Sequence, residues 1–166
     1  MVLRASKRIL LKSSNSSSAI LRECFPRMPA FDPGFVDPTE MLSRYVLDKS
    51  QYRISDCSVK FTAFMPPDDL CLSVFRTSGL SESDVWLIGK TVGTERNKTL
   101  HGRAEIVTLD VTKNNLDVNP DNNPPHHANV VGWPQEKLRQ RLIAQILASR
   151  AVFKLPPVQR PNTSAF

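Results

Sequence analysis

The sequence predicts an α+β fold, a single domain with a mainly antiparallel sheet of about four to five strands and two to three helices, the last of them a C-terminal amphipathic helix. Three observations predict it. Apolar residues alternate with polar ones through 55–64, 70–76 and 102–111, the period of a half-buried strand. They recur at helical spacing in three other segments, near 41–46, 81–93 and 134–153. Finally, strands fall in groups between helices instead of alternating with them one by one, which favours hairpins over parallel crossovers. With 166 residues and 40% hydrophobic content, the chain can bury one core.

Residues 1–22 read as a disordered, basic, Ser-rich tail. They hold Arg4, Lys7, Arg8, Lys12 and Arg22, no acid, and six serines. Most of the net charge of +6 is therefore in the tail; from Glu23 onward 17 basic residues face 16 acidic ones. The body is nearly neutral, so a basic pI says little about its surface. Residues 23–39 read as a Pro-rich connector, extended by Pro26, Pro29, Pro33 and Pro38, since each proline also restrains the residue before it. Phe25, Phe31 and Phe35 are expected to pin it onto the domain, which spans 40–155.

Thr39 opens a short helix in which Met41, Leu42, Tyr45 and Val46 form the stripe. A strand over 55–64 follows, with Cys57, Val59, Phe61 and Ala63 on one face. Five residues connect it to a second strand, 70–76, as in a hairpin. Ser81 caps the next helix, Glu82 and Asp84 sit in its first turn where the dipole favours them, and Gly93 stops it. A long strand covers 102–111, Leu116 and Val118 continue the sheet after a turn, and Ala128 to Val131 is the last strand. Pro134 suits the first position of the final helix. Leu138, Leu142, Ile143, Ile146 and Leu147 give it a wide apolar face as far as Phe153, and 156–166 form a second disordered tail.

Cys24, Cys57 and Cys71 are too few and too odd in number for a disulfide scaffold, and Cys57 and Cys71 read as two buried small hydrophobes in strands. No metal is expected, because no pair of Cys or His has ligand spacing, and no cofactor is implied. Gly89-Lys90-Thr91 lacks the earlier glycine of a phosphate-binding loop, since position 84 is Asp. No apolar run approaches the roughly 20 residues that span a bilayer, so no membrane partner is expected.

The segment Asn119 to Pro134, NPDNNPPHHANVVGWP, is the most informative. Prolines stiffen a loop that presents His126 and His127. Alternation around a buried Val130 turns Ala128 inward and His127 outward with Asn129, making His127 the candidate catalytic residue as a general acid or base. Arg76, flanked by Ser73 and Ser78, and Arg103, at the start of another strand, are candidate anion-binding residues. The bland alternative pairs Arg76 with Asp84 or Glu82, and Arg103 with Glu105 or Asp110.

Since no complete catalytic constellation is visible, the leading expectation is a non-enzymatic binding or interaction module of the cytoplasm, with a protein partner or a small anionic ligand. One rival is a small enzyme for a nucleotide or phosphorylated substrate, using an Arg76, Arg103 and His127 pocket. Another is a nucleic-acid-associated protein using the basic tail and the C-terminal helix. The tail also has the composition of an organellar transit peptide, which would place the protein in an organelle.

Overall fold

The computed structural model describes residues 34–157. The tail 1–22, most of the connector and most of 156–166 lie outside them. The elements are β1 (Met41–Val46), β2 (Tyr52–Arg53), β3 (Ser58–Val59), β4 (Leu72–Arg76), α1 (Glu82–Glu95), β5 (Gly102–Val107), α2 (Thr108–Thr112), β6 (Asp117–Pro120), β7 (His127–Val131), α3 (Lys137–Arg150) and β8 (Val152–Lys154). Six strands make one sheet in the order β6-β7-β4-β1-β5-β8, and every pairing in it is antiparallel. The fold is α+β with three helices, and its sheet has six strands where the sequence suggested four to five.

Both extra strands lie in segments whose pattern reads as helix. β1 is the larger correction. Leu42 and Val46 face one side of the sheet and Tyr45 the other, and all three are buried. An inner strand that buries both faces has apolar residues at consecutive and four-apart positions, which mimics a helical stripe. Thr39 caps no helix; its amide and hydroxyl donate to Asp37 Oδ1 at 2.8 and 2.6 Å in a tight turn. β8 is the second. α3 stops at Arg150, Ala151 is extended, and Val152 to Lys154 pair with β5.

The strand expected over 55–64 is interrupted. Cys57 takes φ +48, which breaks the alternation. Only Ser58 and Val59 pair, with Arg53 and Tyr52, before a 3-10 turn at Phe61–Ala63. Consequently β4 pairs with β1 and β7, not with the preceding segment. Cys57 is exposed and Cys71 partly buried, both as free thiols, so neither is the buried hydrophobe expected. The 102–111 strand ends at Val107. The Thr108 and Leu109 amides donate to Glu40 O and Pro38 O, turning the chain into α2.

One sheet face carries Leu42, Val46, Leu72, Val74, Ile106 and Val130 against α2, α3 and the 3-10 turn. The other carries Tyr45 and Phe75, which pack with Val92 of α1. Ser81 caps α1 as expected, its hydroxyl accepting from the Asp84 amide, but the helix runs past Gly93 to Glu95. α3 starts at Lys137, three residues after Pro134. Its inner strip is narrower than the apolar pattern implies. Gln140, Ala144 and Leu147 are buried, whereas Leu138, Leu142 and Ile146 are 63%, 52% and 45% exposed. Of the aromatics in the connector, Phe25 and Phe31 lie outside the described residues. Phe35 is exposed; Val36, not Phe35, packs on the core. Among the described residues no helix is long and apolar enough to cross a membrane.

Candidate functional site

Strand register assembles a polar surface on the α1 side of the sheet. Alternation puts Ser73 and Phe75 of β4 on that side, with His127, Asn129 and Val131 of β7 and Asp117 and Asn119 of β6. Phe75 stands opposite His127, Ser73 opposite Asn129, and Asn119 opposite Asn129 from the far side. One residue past the Pro120–Ala128 pair, Asp121 reaches His127. α1 lies over the β1 and β5 part of this face and over Phe75 at the end of β4: Tyr45 donates its hydroxyl hydrogen to Val85 O at 2.6 Å, Arg103 bonds Glu82, and Phe75 packs with Val92. The β4-β7-β6 part keeps Asp117, Asn119 and Asp121 exposed, and Ser73, His127, Asn129 and Val131 partly so.

Three side chains on this open part form a continuous hydrogen-bonded chain. Asp121 Oδ1 lies 2.7 Å from His127 Nδ1. Ser73 Oγ lies 2.8 Å from His127 Nε2. A carboxylate only accepts, so Nδ1 carries the hydrogen, and in the neutral imidazole that leaves Nε2 to accept from the serine hydroxyl. Asp121 is itself held. Its Oδ2 accepts from Asn129 Nδ2 at 3.0 Å and its Oδ1 from the Asn123 amide at 3.2 Å. Burial acts to raise its pKa, but the hydrogen bonds from His127 and the Asn123 amide outweigh that and hold its carboxyl below the usual range.

The backbone fixes the same geometry. The Asp121 and Asn122 amides both donate to His127 O, and the His127 amide donates to Pro124 O. Phe75 meets the His127 ring edge-on at 5.3 Å. Behind Ser73, the β1–β4 ladder stops after the Ser43–Phe75 pair. Arg44 fills the gap, donating to Ser73 O at 2.8 Å and to Ala63 O at 3.0 Å. Burial, with a smaller contribution from Arg96, pulls the Arg44 pKa down to about 10.

The structure does not bring the two arginines to this site. Arg76 and Arg103 pair with Leu42 and Tyr45, three residues apart on β1, so they point to opposite faces. Arg76 is buried in an ion pair with Glu40, at 2.7 and 2.9 Å, not with Asp84 or Glu82. Arg103 is 1% exposed, bonds Glu105 and Glu82, and lies 4.4 Å from the Trp86 ring. Ser78 Oγ accepts from the Met41 amide at 2.6 Å. Ser73 alone of the anion-binding candidates meets His127. His126, at φ +69, is 3% exposed; burial pushes its pKa down, and the nearby Arg76 charge adds to that. Among the described residues, no group of three or more His, Cys, Asp or Glu is placed to hold a metal ion.

Sequence reading missed Asp121, and it set Asn129 on the face of His127 without giving it a role. The signal was present. If 116–120 and 128–131 form a hairpin with Val118 and Val130 inward, the outward partners are Asn119 with Asn129 and Asp121 with His127. Comparison with protein-family models, curated proteins and solved structures gives no match for this chain.

Proposed function

We propose that this protein is a small binding module that presents the β4-β7-β6 part of its sheet to a small, uncharged, hydrogen-bonding ligand. The observation that supports this reading is the locked array Ser73–His127–Asp121–Asn129 on a part of the sheet that α1 leaves uncovered. Its donors and acceptors are already oriented, so a ligand would bind with little reordering cost. The same strands, with the residue that follows β6, carry Asp117 and Asp121 on this side and no Lys or Arg. An anionic or phosphorylated ligand would therefore meet carboxylates, while the arginines suited to it are held by Glu40, Glu82 and Glu105.

The test is a titration followed in ¹H–¹⁵N correlation spectra of the full chain. The probes are a fragment set of neutral amides, alcohols and esters, and the same scaffolds bearing a phosphate. Neutral fragments are expected to shift the amides of Ser73, Asn119, Asp121, His127 and Asn129 together. Shifts by the phosphorylated set alone, or no shifts at these residues, would overturn the reading.

A further inference from the structure

We propose that Ser73 is a nucleophile, activated by His127 and positioned through Asp121, and that it accepts the acyl group of a small neutral ester or thioester. This deepens the reading of the same face as a site for uncharged ligands. An alcohol becomes a useful nucleophile when an adjacent base takes its proton and a third group orients that base. All three parts are present. Ser73 Oγ is 2.8 Å from the bare Nε2 of His127, and Asp121 Oδ1 is 2.7 Å from Nδ1. The order along the chain is Ser, Asp, His; Ser73 is on β4, His127 on the neighbouring β7, and Asp121 one residue beyond the end of β6. The arrangement is recognised by geometry, not by sequence spacing.

The supports of each member point the same way. Asp121 Oδ2 is held by Asn129, so the carboxylate cannot turn away from the imidazole. The His127 ring is held edge-on by Phe75. The Ser73 carbonyl is clamped by the partly buried Arg44, which fixes the strand at the nucleophile. His127 is only 13% exposed through its side chain and Asp121 42%, so the base is shielded while the outer end of the chain contacts water.

In the first step Ser73 Oγ forms a bond to the carbonyl carbon of the ester and its proton passes to His127 Nε2. The tetrahedral adduct then breaks its bond to the leaving oxygen or sulfur, which takes that proton from Nε2. An acyl-Ser73 ester remains. Water attacks it, giving its proton to Nε2, and the carbon–Oγ bond breaks as the proton returns to Oγ. The balance is ester plus water to acid plus alcohol, or thioester plus water to acid plus thiol. A broad, open sheet face suits a short acyl group, and the two nearby carboxylates favour an uncharged one.

The experiment uses the full chain and a neutral fluorophosphonate probe, read by intact mass and by mapping the modified peptide. A single adduct on Ser73 is expected, and none in Ser73→Ala. Labelling should slow by at least about 100-fold in His127→Ala, the scale of a lost general base. In Asp121→Asn it should slow while the neutral His127 ring moves off the Nδ1-protonated tautomer in ¹H–¹⁵N spectra, a change that a merely structural role would not produce. Melting curves verify that each variant is folded, and His127→Gln replaces His127→Ala if the latter unfolds. No adduct on Ser73 in the folded protein, an adduct elsewhere instead, or a rate unchanged by loss of the His127 base would overturn the proposal. If Ser73 stays unlabelled while neutral fragments still shift its amide, the nucleophile fails and the binding module stands. If Ser73 is labelled but no neutral fragment shifts the face, the binding module fails and the nucleophile stands.

Discussion

Replacing Leu147 and Leu142 by alanine, one at a time, separates the observed face of α3 from the one its apolar pattern suggests. The two leucines lie on one helix, five residues apart, in similar sequence surroundings. Leu147 is 0% exposed and Leu142 52% exposed. Removing the three outer carbons of a buried leucine forfeits about 2.4 kcal/mol of transfer free energy. A cavity that closes only in part raises the cost to about 3–4 kcal/mol. Leu147 contacts the sheet core, where rigid strands limit collapse, so the upper part of that range applies. For Leu142 about half of the burial is already absent, and alanine is slightly the better helix former. Its cost should stay below about 1 kcal/mol. For a domain of this size each kcal/mol moves the melting temperature by about 3–5 °C. Leu147→Ala is therefore expected to melt about 10–20 °C below wild type and Leu142→Ala within about 5 °C of it, measured by circular dichroism at one protein concentration. Equal shifts, or the larger shift at Leu142, would mean that α3 is rotated relative to the sheet and that its leucine ridge faces the core.

A Cβ at Gly89 would lie 2.6 and 2.7 Å from the Tyr45 ring, whose hydroxyl is tethered to Val85 O. Gly89→Ala should thus cost about 1–2 kcal/mol in urea melts, overpacking outweighing the gain in helix propensity; stabilisation would show that Tyr45 can retreat. Long-range ¹H–¹⁵N spectra should find neutral His127 protonated on Nδ1 and shifted away from that tautomer in Asp121→Asn, whereas an Nε2 proton in wild type would contradict the hydrogen-bond assignment. His126 has a folded pKa below its ordinary 6.5, so the unfolded chain binds the extra proton first. Its contribution is whole above that value and lost as pH falls through the folded pKa. His126→Gln should flatten the stability profile just below pH 6.5, and an unchanged slope there would refute it. The Glu82 carboxyl is held low, mainly by its hydrogen bond from Arg103. Its contribution is present above the ordinary carboxylate range and lost at more acidic pH, so Glu82→Gln should lose less stability than wild type on acidification below about pH 4.5.

Local chemistry made some elements legible and hid others. α1 was plain because Ser81 caps it and acids fill its first turn. β4 and β7 were plain because apolar and polar residues alternate in them. β1 was hidden because it buries both faces, so Leu42, Tyr45 and Val46 imitate a helical stripe. β8 was hidden because three residues carry too little pattern to separate from the end of α3. The 55–64 strand was a false positive. Alternation survives in its sequence, but the left-handed backbone at Cys57 spends one residue on a turn and the ladder ends.

The candidate site was legible in part for the same kind of reason. His127 could be turned outward from one assumption, that Val130 is inward. Ser73 was noticed beside Arg76, yet adjacent strand residues point to opposite faces, and it is Ser73, not Arg76, that shares a face with His127. Asp121 required knowing that β6 and β7 pair around the loop that holds Pro124 and Pro125. These dependencies tie core and site into one register. The pairing that buries Val118 against Val130 and Leu72 against Val130 also sets Asp121 beside His127 and Ser73 beside Asn129. A slip of one residue in β7 would expose Ala128 and Val130 and at once turn His127 into the core. The apolar face thus does for the polar face what no local motif does. It holds two strand side chains and one from the turn after β6 within hydrogen-bond reach, and burial of Val130 is part of what keeps the His127 ring between Ser73 and Asp121.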